Sequence, residues 1–320
     1  MPVWERRREN WRAGAGAAAQ VALAQARLLR TRRSGFDALI VGYPGHLDLA
    51  AARRVAGRRP VVFNPLVSLS DSFVEDRGRF GRGSVAARVL AAIDRQALRA
   101  ADAVVADTNA HADFLAQLAR IPRERVRVCF VGAEERIFQP ARERPPELGA
   151  IFVGKLIPLH GLETILRAAE LAPEVTFTIV GSGQLDDLIR ARTANVRHIP
   201  WLEYAQIPRA LHSSACALGI FGDSAKAHRV IPNKVFQALA CAVAVITGDT
   251  PAATELLTDG VDALLVPARD AEALADAVRR LASDDELRCR LAASGHATYV
   301  ARASESVLGA QWRGLVEELV

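Results

Sequence analysis

Lysine is almost missing from this chain: among 41 basic residues only Lys155, Lys226 and Lys234 are lysines, and the remainder are Arg. Cysteine is scarce as well. Cys129, Cys216, Cys241 and Cys289 match no C-x-x-C or Cys/His spacing, which argues against structural zinc and for a reduced, cytoplasmic protein with buried thiols. Long apolar runs are lacking too. The longest weakly apolar stretch, Ala13 to Ala26, is built from Ala and Gly, carries Gln20 and Gln25, and falls short of the roughly 20 strongly apolar residues of a membrane span. It also lacks the compact hydrophobic region and cleavage site of a signal peptide. Two nucleotide motifs are missing. Gly181 and Gly183 begin a G-x-G-x-x-G, but its last position is Asp186, and no lysine closes a Gly-rich loop as Gly-Lys-Ser/Thr. A dinucleotide cofactor and a P-loop are both disfavoured.

What is present is an ordinary globular composition: 320 residues, 50% hydrophobic and 24% charged, enough for two domains of about 150 residues each. The formal charge of +5 is local. Residues 1 to 33 hold eight Arg against Glu5 and Glu9, a net of +6, so the remainder is nearly neutral and the pI near 9.4 describes the leader. Residues 1–35 read as a basic helix, which either packs onto a sheet or lies on a membrane surface near a lipid-linked acceptor. Nucleic acid is the weaker partner, because Trp4 and Trp11 accompany the Arg cluster without a fold for base readout.

Beyond the leader, short β-branched runs alternate with longer stretches of helical period, the pattern of parallel strands joined by helices. Strands are expected at 37–41, 61–64, 103–106 and 126–131, then near 150–153, 175–180, 196–199, 215–221, 243–247 and 263–266. Helices are expected at 47–56, 84–100 and 109–119, then near 162–171, 185–193, 204–213, 233–241, 251–258, 270–283 and 285–302. Residues 139–148, with three Pro amid mixed charge, read as a linker. The fold class that follows is α/β with two doubly wound, Rossmann-like domains, at 36–140 and 149–303, joined through 141–148 and followed by a helix at 304–320.

Doubly wound sheets bind ligands at the carboxyl ends of their strands. In the second half those positions hold Gly154-Lys155, Gly181-Ser182-Gly183, Trp201, Gly222, Gly248-Asp249 and Pro267. Glycine lets backbone approach a ligand, and the following helix N-terminus offers free N–H groups and a positive dipole end. The expected ligand is an anion, most simply a phosphate. Lysine placement agrees, since all three lie in this half, with Lys155 and Lys234 at a strand end and a helix start facing one crevice.

Gly154-Lys155-Leu156 with His160-Gly161-Leu162-Glu163-Thr164-Ile165, then FTIVGSGQLDDL, VRHIPWLEYAQIPRAL, IPNKVFQALACAVAVITGDTPAATELLTDGVDALLVP and DAEALADAVRRLASDDELRCRLA, resemble in order the donor domain of the family 4 retaining glycosyltransferases. ADAVVADTNAH and VRVCFVGAEERIFQP extend the resemblance into the usual end of the acceptor domain, so that it covers roughly residues 36 to 303. The resemblance implies two Rossmann-like domains facing across a cleft, with the last helix crossing back to the first. It also implies a cytoplasmic bacterial enzyme of cell-envelope polysaccharide synthesis, peripheral to the membrane if the leader binds lipid. Such an enzyme moves a sugar from a nucleotide-diphosphate sugar to a glycan, glycolipid or small acceptor with retention. No cofactor is implied, and no metal: basic groups and a helix dipole meet the leaving-group charge, and no Asp-x-Asp follows a strand.

Carried over by position, Gly154, Lys155, His160, Gly181, Gly183 and Lys234 would bind the donor diphosphate. Lys155 and His160 stand where the family has Arg and Lys; His160 reads equally as a helix-capping polar residue. Lys234 resembles the lysine of the family's Pro-Asn/Ser-Lys subgroup. Of the paired glutamates spaced eight apart, the second position is Gln237 and the first falls on Arg229; with Glu255 these are expected at the donor sugar or ribose. Lys226 is a further candidate, and Glu255 reads otherwise as a charge on a first helical turn. Trp201 and Leu202 occupy the nucleobase turn, with a core Trp as the competing reading. Asn64 stands where many relatives place a His near the transferred sugar, and otherwise reads as a turn residue before Pro65. Residues 68–81 read as an acceptor-facing loop containing Asp71, Glu75 and Asp76.

The family's first two or three βα units and their Gly-rich loop have no counterpart before residue 36, so the N-terminal domain reads as incomplete. A non-catalytic, glycosyltransferase-like binding subunit is therefore the alternative. A nucleotide-sugar epimerase is a third, lacking an evident acid/base carboxylate pair.

Overall fold

The computed structural model describes residues 35–75, 80–81, 83–141, 149–190 and 192–320, with six positions between 23 and 30. The basic helix expected over 1–35 lies largely outside the described residues, as do residues 142–148 of the linker and Asp76. Two parallel sheets carry the fold. In the first, β1 (Leu39–Val41), β2 (Val61–Phe63), β3 (Ala103–Ala106) and β4 (Val126–Val128) lie side by side in chain order. The connecting helices α1 (Leu49–Ala56), α2 (Val85–Ala100) and α3 (Asn109–Ala119) share one face, where Leu49, Leu98 and Leu115 close over Val61, Phe63 and Val104. Three successive crossovers of one hand put them there.

The second sheet has the order β10-β9-β8-β5-β6-β7. Its strands are β5 (Gly149–Val153), β6 (Thr176–Val180), β7 (Val196–Ile199), β8 (Cys216–Leu218), β9 (Ala244–Gly248) and β10 (Leu264–Val266). Its helices are α4 (Leu162–Leu171), α5 (Asp186–Arg190), α6 (Ile207–His212), α7 (Asn233–Ala240), α8 (Ala271–Ser283) and α9 (Asp285–Arg302). The chain runs outward from β5 to β7, then returns to lay β8 on the other side of β5. That reversal opens a crevice between the ends of β5 and β8.

These strands read as continuous apolar runs because both faces are covered. Phe152, Phe177, Ile179 and Ile246 pack with Ile165 and Leu274 on one side, while Ile151, Val180 and Val245 pack with Phe236 and Tyr299 on the other. Each buried Phe contributes about 1.5–3 kcal/mol. The last helix, α10 (Glu305–Leu319), crosses back to the first domain and sets Leu315 and Trp312 against Val62, Ala103 and Val105.

Side chains cap α2, α3, α8 and α9: Ser84 accepts from Ala87 N–H, Thr108 from His111, Asp270 from Ala273 and Asp284 from Leu287, whereas Asp48 before α1 and Ser304 before α10 make no such bond. The helix expected at 251–258 contracts to a single turn, Ala253–Glu255. There the Thr250 hydroxyl takes the Ala253 N–H and the Asp262 carboxylate takes that of Thr258, so side chains compete with the helical ladder. The strand expected at 215–221 ends at Leu218, and the segment 204–213 is a single turn followed by α6.

Candidate functional site

At the crevice the exits of β5, β6 and β8 converge on glycines. A Cβ on Gly181 would collide with the carbonyl oxygen of Gly154, and one on Gly161, at φ 69°, would lie 2.6 Å from the Phe221 carbonyl carbon. Only glycine admits this approach. The N–H groups of these glycines are engaged within the protein: Gly154 donates to Val180 O at 2.9 Å, Gly181 to Ile199 O at 2.9 Å and Gly183 to the Asp186 carboxylate at 2.6 Å. The glycines expected to bind phosphate therefore give the crevice its shape rather than its donors.

The charge comes from side chains. Lys234, in the first turn of α7, sets its Nζ 3.8 Å from the Phe152 ring centroid, buried and without a hydrogen-bond partner. A Cβ on Gly154 would sit 2.8 Å from that Nζ and 3.5 Å from His160 Cε1, so any side chain there would fill the space between them. Burial drives the Lys234 pKa well below the usual lysine range. His160 ends the turn Pro158–His160, which Phe221 N–H ties to the exit of β8 by donating to His160 O at 3.1 Å. Burial and then Lys234 hold the His160 pKa well below 6.5; Lys226 acts in the same direction, and the hydrogen bond to Lys155 O opposes them. Lys226 is buried, and Lys155 is exposed. A buried ammonium without a partner is costly, and an anion in the crevice removes that cost.

Trp201 is 61% exposed, so it is not a core residue, and its Nε1 donates to Glu203 at 3.4 Å. Leu202 packs into the core instead. Gln237 shares a side-chain hydrogen bond with the Tyr204 hydroxyl on the turn that follows.

Two residues expected at the donor sugar or ribose are engaged elsewhere. Arg229 donates to the Asp71 carboxylate at 2.8 Å, stacks 3.9 Å from the Phe114 centroid, and accepts at its carbonyl from Thr108 Oγ1 at 2.5 Å. Glu255 accepts from Asn109 N at 2.6 Å, Asn109 Nδ2 at 3.0 Å and Ala110 N at 2.9 Å, capping α3 of the other domain. Both bridge the two domains because their loops approach the first turn of α3. Glu255 lies in the single turn of its own segment, and its carboxylate charges the first turn of α3 as well.

In the first domain, Asn64 Oδ1 accepts from Leu66 N–H at 3.2 Å, the turn role before Pro65. It also lines a cavity of about 290 Å³ at the ends of β2 to β4, together with Asp107, Cys129, Leu308 and Trp312. A larger cavity of about 710 Å³ lies under α6 and shares only Leu202 with the expected site residues. Asp71 is buried against Arg229, and Glu75 ends the short helical turn that begins at Asp71. Sequence reasoning missed Asp94, 1% exposed on α2, which accepts from Leu69 N at 2.8 Å, Ser70 N at 2.9 Å and Ser70 Oγ at 2.7 Å. Its signal was available: Asp94 falls on the buried stripe with Ala87, Ala97 and Leu98. His46, also missed, lies 3.5 Å from Asp94 with its pKa lowered chiefly by burial.

Residues 1–132 match the model of the glycosyl transferase 4-like domain, and residues 147–284 match that of glycosyl transferases group 1. The alpha-D-kanosaminyltransferase of Streptomyces kanamyceticus is 26% identical over 247 residues, covering 71% of this chain and 63% of its own length. The phosphatidyl-myo-inositol mannosyltransferase of Mycolicibacterium smegmatis is 32% identical over 174 residues, covering 51% of this chain and 41% of its own. This chain thus spans less than two thirds of either relative. Among solved structures, Anabaena HepE in complex with UDP has a TM-score of 0.72 at 16% identity, over 93% of this chain and 82% of that one. Sucrose-phosphate synthase from Thermosynechococcus elongatus has a TM-score of 0.74 at 16% identity, over 93% and 77%. Two parallel sheets around a cleft, glycine exits at the point of strand reversal and two family models in tandem lead to one conclusion: the chain belongs to the group 1 glycosyltransferases.

Proposed function

We propose that this protein transfers a sugar from a nucleotide-diphosphate sugar to a hydroxyl of a glycan, glycolipid or small acceptor, with retention of configuration and without a divalent ion. The observation that carries the reading is Lys234 Nζ, buried and unpaired beside Gly154 and His160. Breaking the bond between sugar and phosphate leaves negative charge on the diphosphate. Lys234, with the buried Lys226 that also acts on His160 and the exposed Lys155, supplies the positive potential, strengthened by the low dielectric of the crevice. Asn64 offers an amide that can hold a sugar hydroxyl but cannot take its proton. The departing phosphate oxygen is then the base on the attacked face, which favours retention. The exposed Trp201 suits stacking on a nucleobase. A lipid-linked acceptor is supported by the net +6 of residues 1–33, which suits an anionic membrane surface, and by the name of the mycobacterial relative. Among the described residues no helix is long and apolar enough to cross a membrane.

Thermal-shift and calorimetric titration with UDP-, GDP- and ADP-sugars tests this reading. One of them raises the Tm, Lys234→Ala loses most of that binding, and turnover survives EDTA and preserves the anomeric configuration. If none binds, the reading fails.

A second reading, a non-catalytic binding subunit, is favoured by one set of observations: Arg229 and Glu255 join the domains and Asn64 closes a turn. Release of nucleoside diphosphate by the isolated chain with acceptor removes it.

A further inference from the structure

His160 lies five residues after Lys155, where the family has a lysine, and its chemistry differs. Lysine is charged at neutral pH in water, whereas imidazole is charged only with both nitrogens protonated. His160 Nδ1 lies 2.5 Å from Lys155 O. A carbonyl only accepts, so Nδ1 carries the proton of the neutral ring and Nε2 is a lone pair. Among the described residues no hydrogen bond is made by Nε2.

The ring cannot easily turn to offer Nδ1 instead. It stands edge-on to Phe152 at 5.5 Å between centroids, its backbone is held by Phe221 N–H, and a flip would break the bond to Lys155 O. The charged groups that act on it are Lys234 from the first turn of α7 and Lys226 from the loop after β8, both cations, while Lys155 on its own loop is exposed. Burial, and then these neighbours, hold the empty ring toward neutrality. A diphosphate set against them brings negative charge that offsets theirs and favours the imidazolium.

Resting on the donor reading above, we infer that binding of a nucleotide-diphosphate sugar takes up one proton at His160, so that Nε2 of the imidazolium donates to a phosphate oxygen. The proton comes from the buffer acid, which becomes its conjugate base, and no other bond changes. The residue that replaces the family's lysine thereby makes donor affinity depend on pH.

A nucleotide-diphosphate sugar is the right probe, because both of its phosphates are esterified, whereas a terminal phosphate itself titrates near about 6. UDP-, GDP- and ADP-glucose are titrated calorimetrically from pH 6 to 8, in two buffers of different ionisation enthalpy. The expected result is uptake of about one proton and a Kd that rises by about tenfold per pH unit across the interval between the free and bound pKa values. In His160→Lys and His160→Gln the pH dependence is lost while binding persists. Uptake that survives in both variants puts the proton on Lys234 and overturns the inference. Tight binding without uptake by the wild type overturns it alone, and absence of binding by all three sugars overturns the donor reading with it.

Discussion

Around the carboxyl ends of β2 and β3 the buried ionisable side chains have partners. Asp94 accepts three hydrogen bonds from Leu69 and Ser70, Asp107 pairs with His111, and Asp71 pairs with Arg229. Around the ends of β5 and β8, Lys234 Nζ is equally buried and has no partner, and the nearest titratable ring, His160, is pushed toward neutrality by burial and then by the Lys234 cation. The two domains share an architecture but use charge differently. Paired charge in the first builds loops, whereas unpaired charge in the second is a cost that a bound anion relieves.

The largest expected effect comes from breaking the first kind. Asp94→Ala leaves two backbone N–H groups and a hydroxyl without their acceptor and costs about 3 kcal/mol, seen as a lower urea midpoint at unchanged m. Binding of a nucleotide sugar stays within about twofold; a large loss of donor affinity would erase the contrast between the halves.

Removing the second kind should have the opposite sign. Lys234→Met replaces a buried unpaired ammonium with an apolar chain of similar length, and the empty protein gains about 1 kcal/mol while donor binding collapses. The pH dependence gives an independent check. The folded-state pKa of Lys234 is depressed, so between that value and the unfolded value near 10.4 the unfolded chain binds more protons. Wild-type stability therefore rises with pH through that window, and the Met variant loses this rise in thermal melts.

The smallest effect is at the domain boundary. Glu255→Ala removes the cap of α3 and costs about 1 kcal/mol. Hydrogen exchange at the Asn109 and Ala110 amides should speed up, with donor affinity unchanged. Weakened donor binding would return Glu255 to the sugar site and blur the comparison.

Much of the fold was legible before the structure, because apolar runs and helical periods are local signals. The crevice at the ends of β5 and β8 was legible in part. Gly154 and Lys234 were named from a strand end and a helix start and His160 from the family resemblance, and the structure brings these three together. Arg229 and Glu255 make contacts that the sequence did not announce, for a physical reason: their partners Asp71 and Asn109 lie 158 and 146 residues away, and no local pattern signals a contact made only when two domains meet. Trp201 could be read as core or surface, and its 61% exposure follows from its place at the outer end of an edge strand.

By itself, the sequence determined the alternation of strand and helix, the glycines where backbones must nearly touch, and the rarity of lysine that made three positions conspicuous. Those properties depend on residues close in the chain. Tertiary structure alone decided which charges are paired inside the protein and which are left buried without a partner. Pairing and desolvation depend on distance in space, so Arg229 became a strut between domains while Lys234 was left buried and uncompensated.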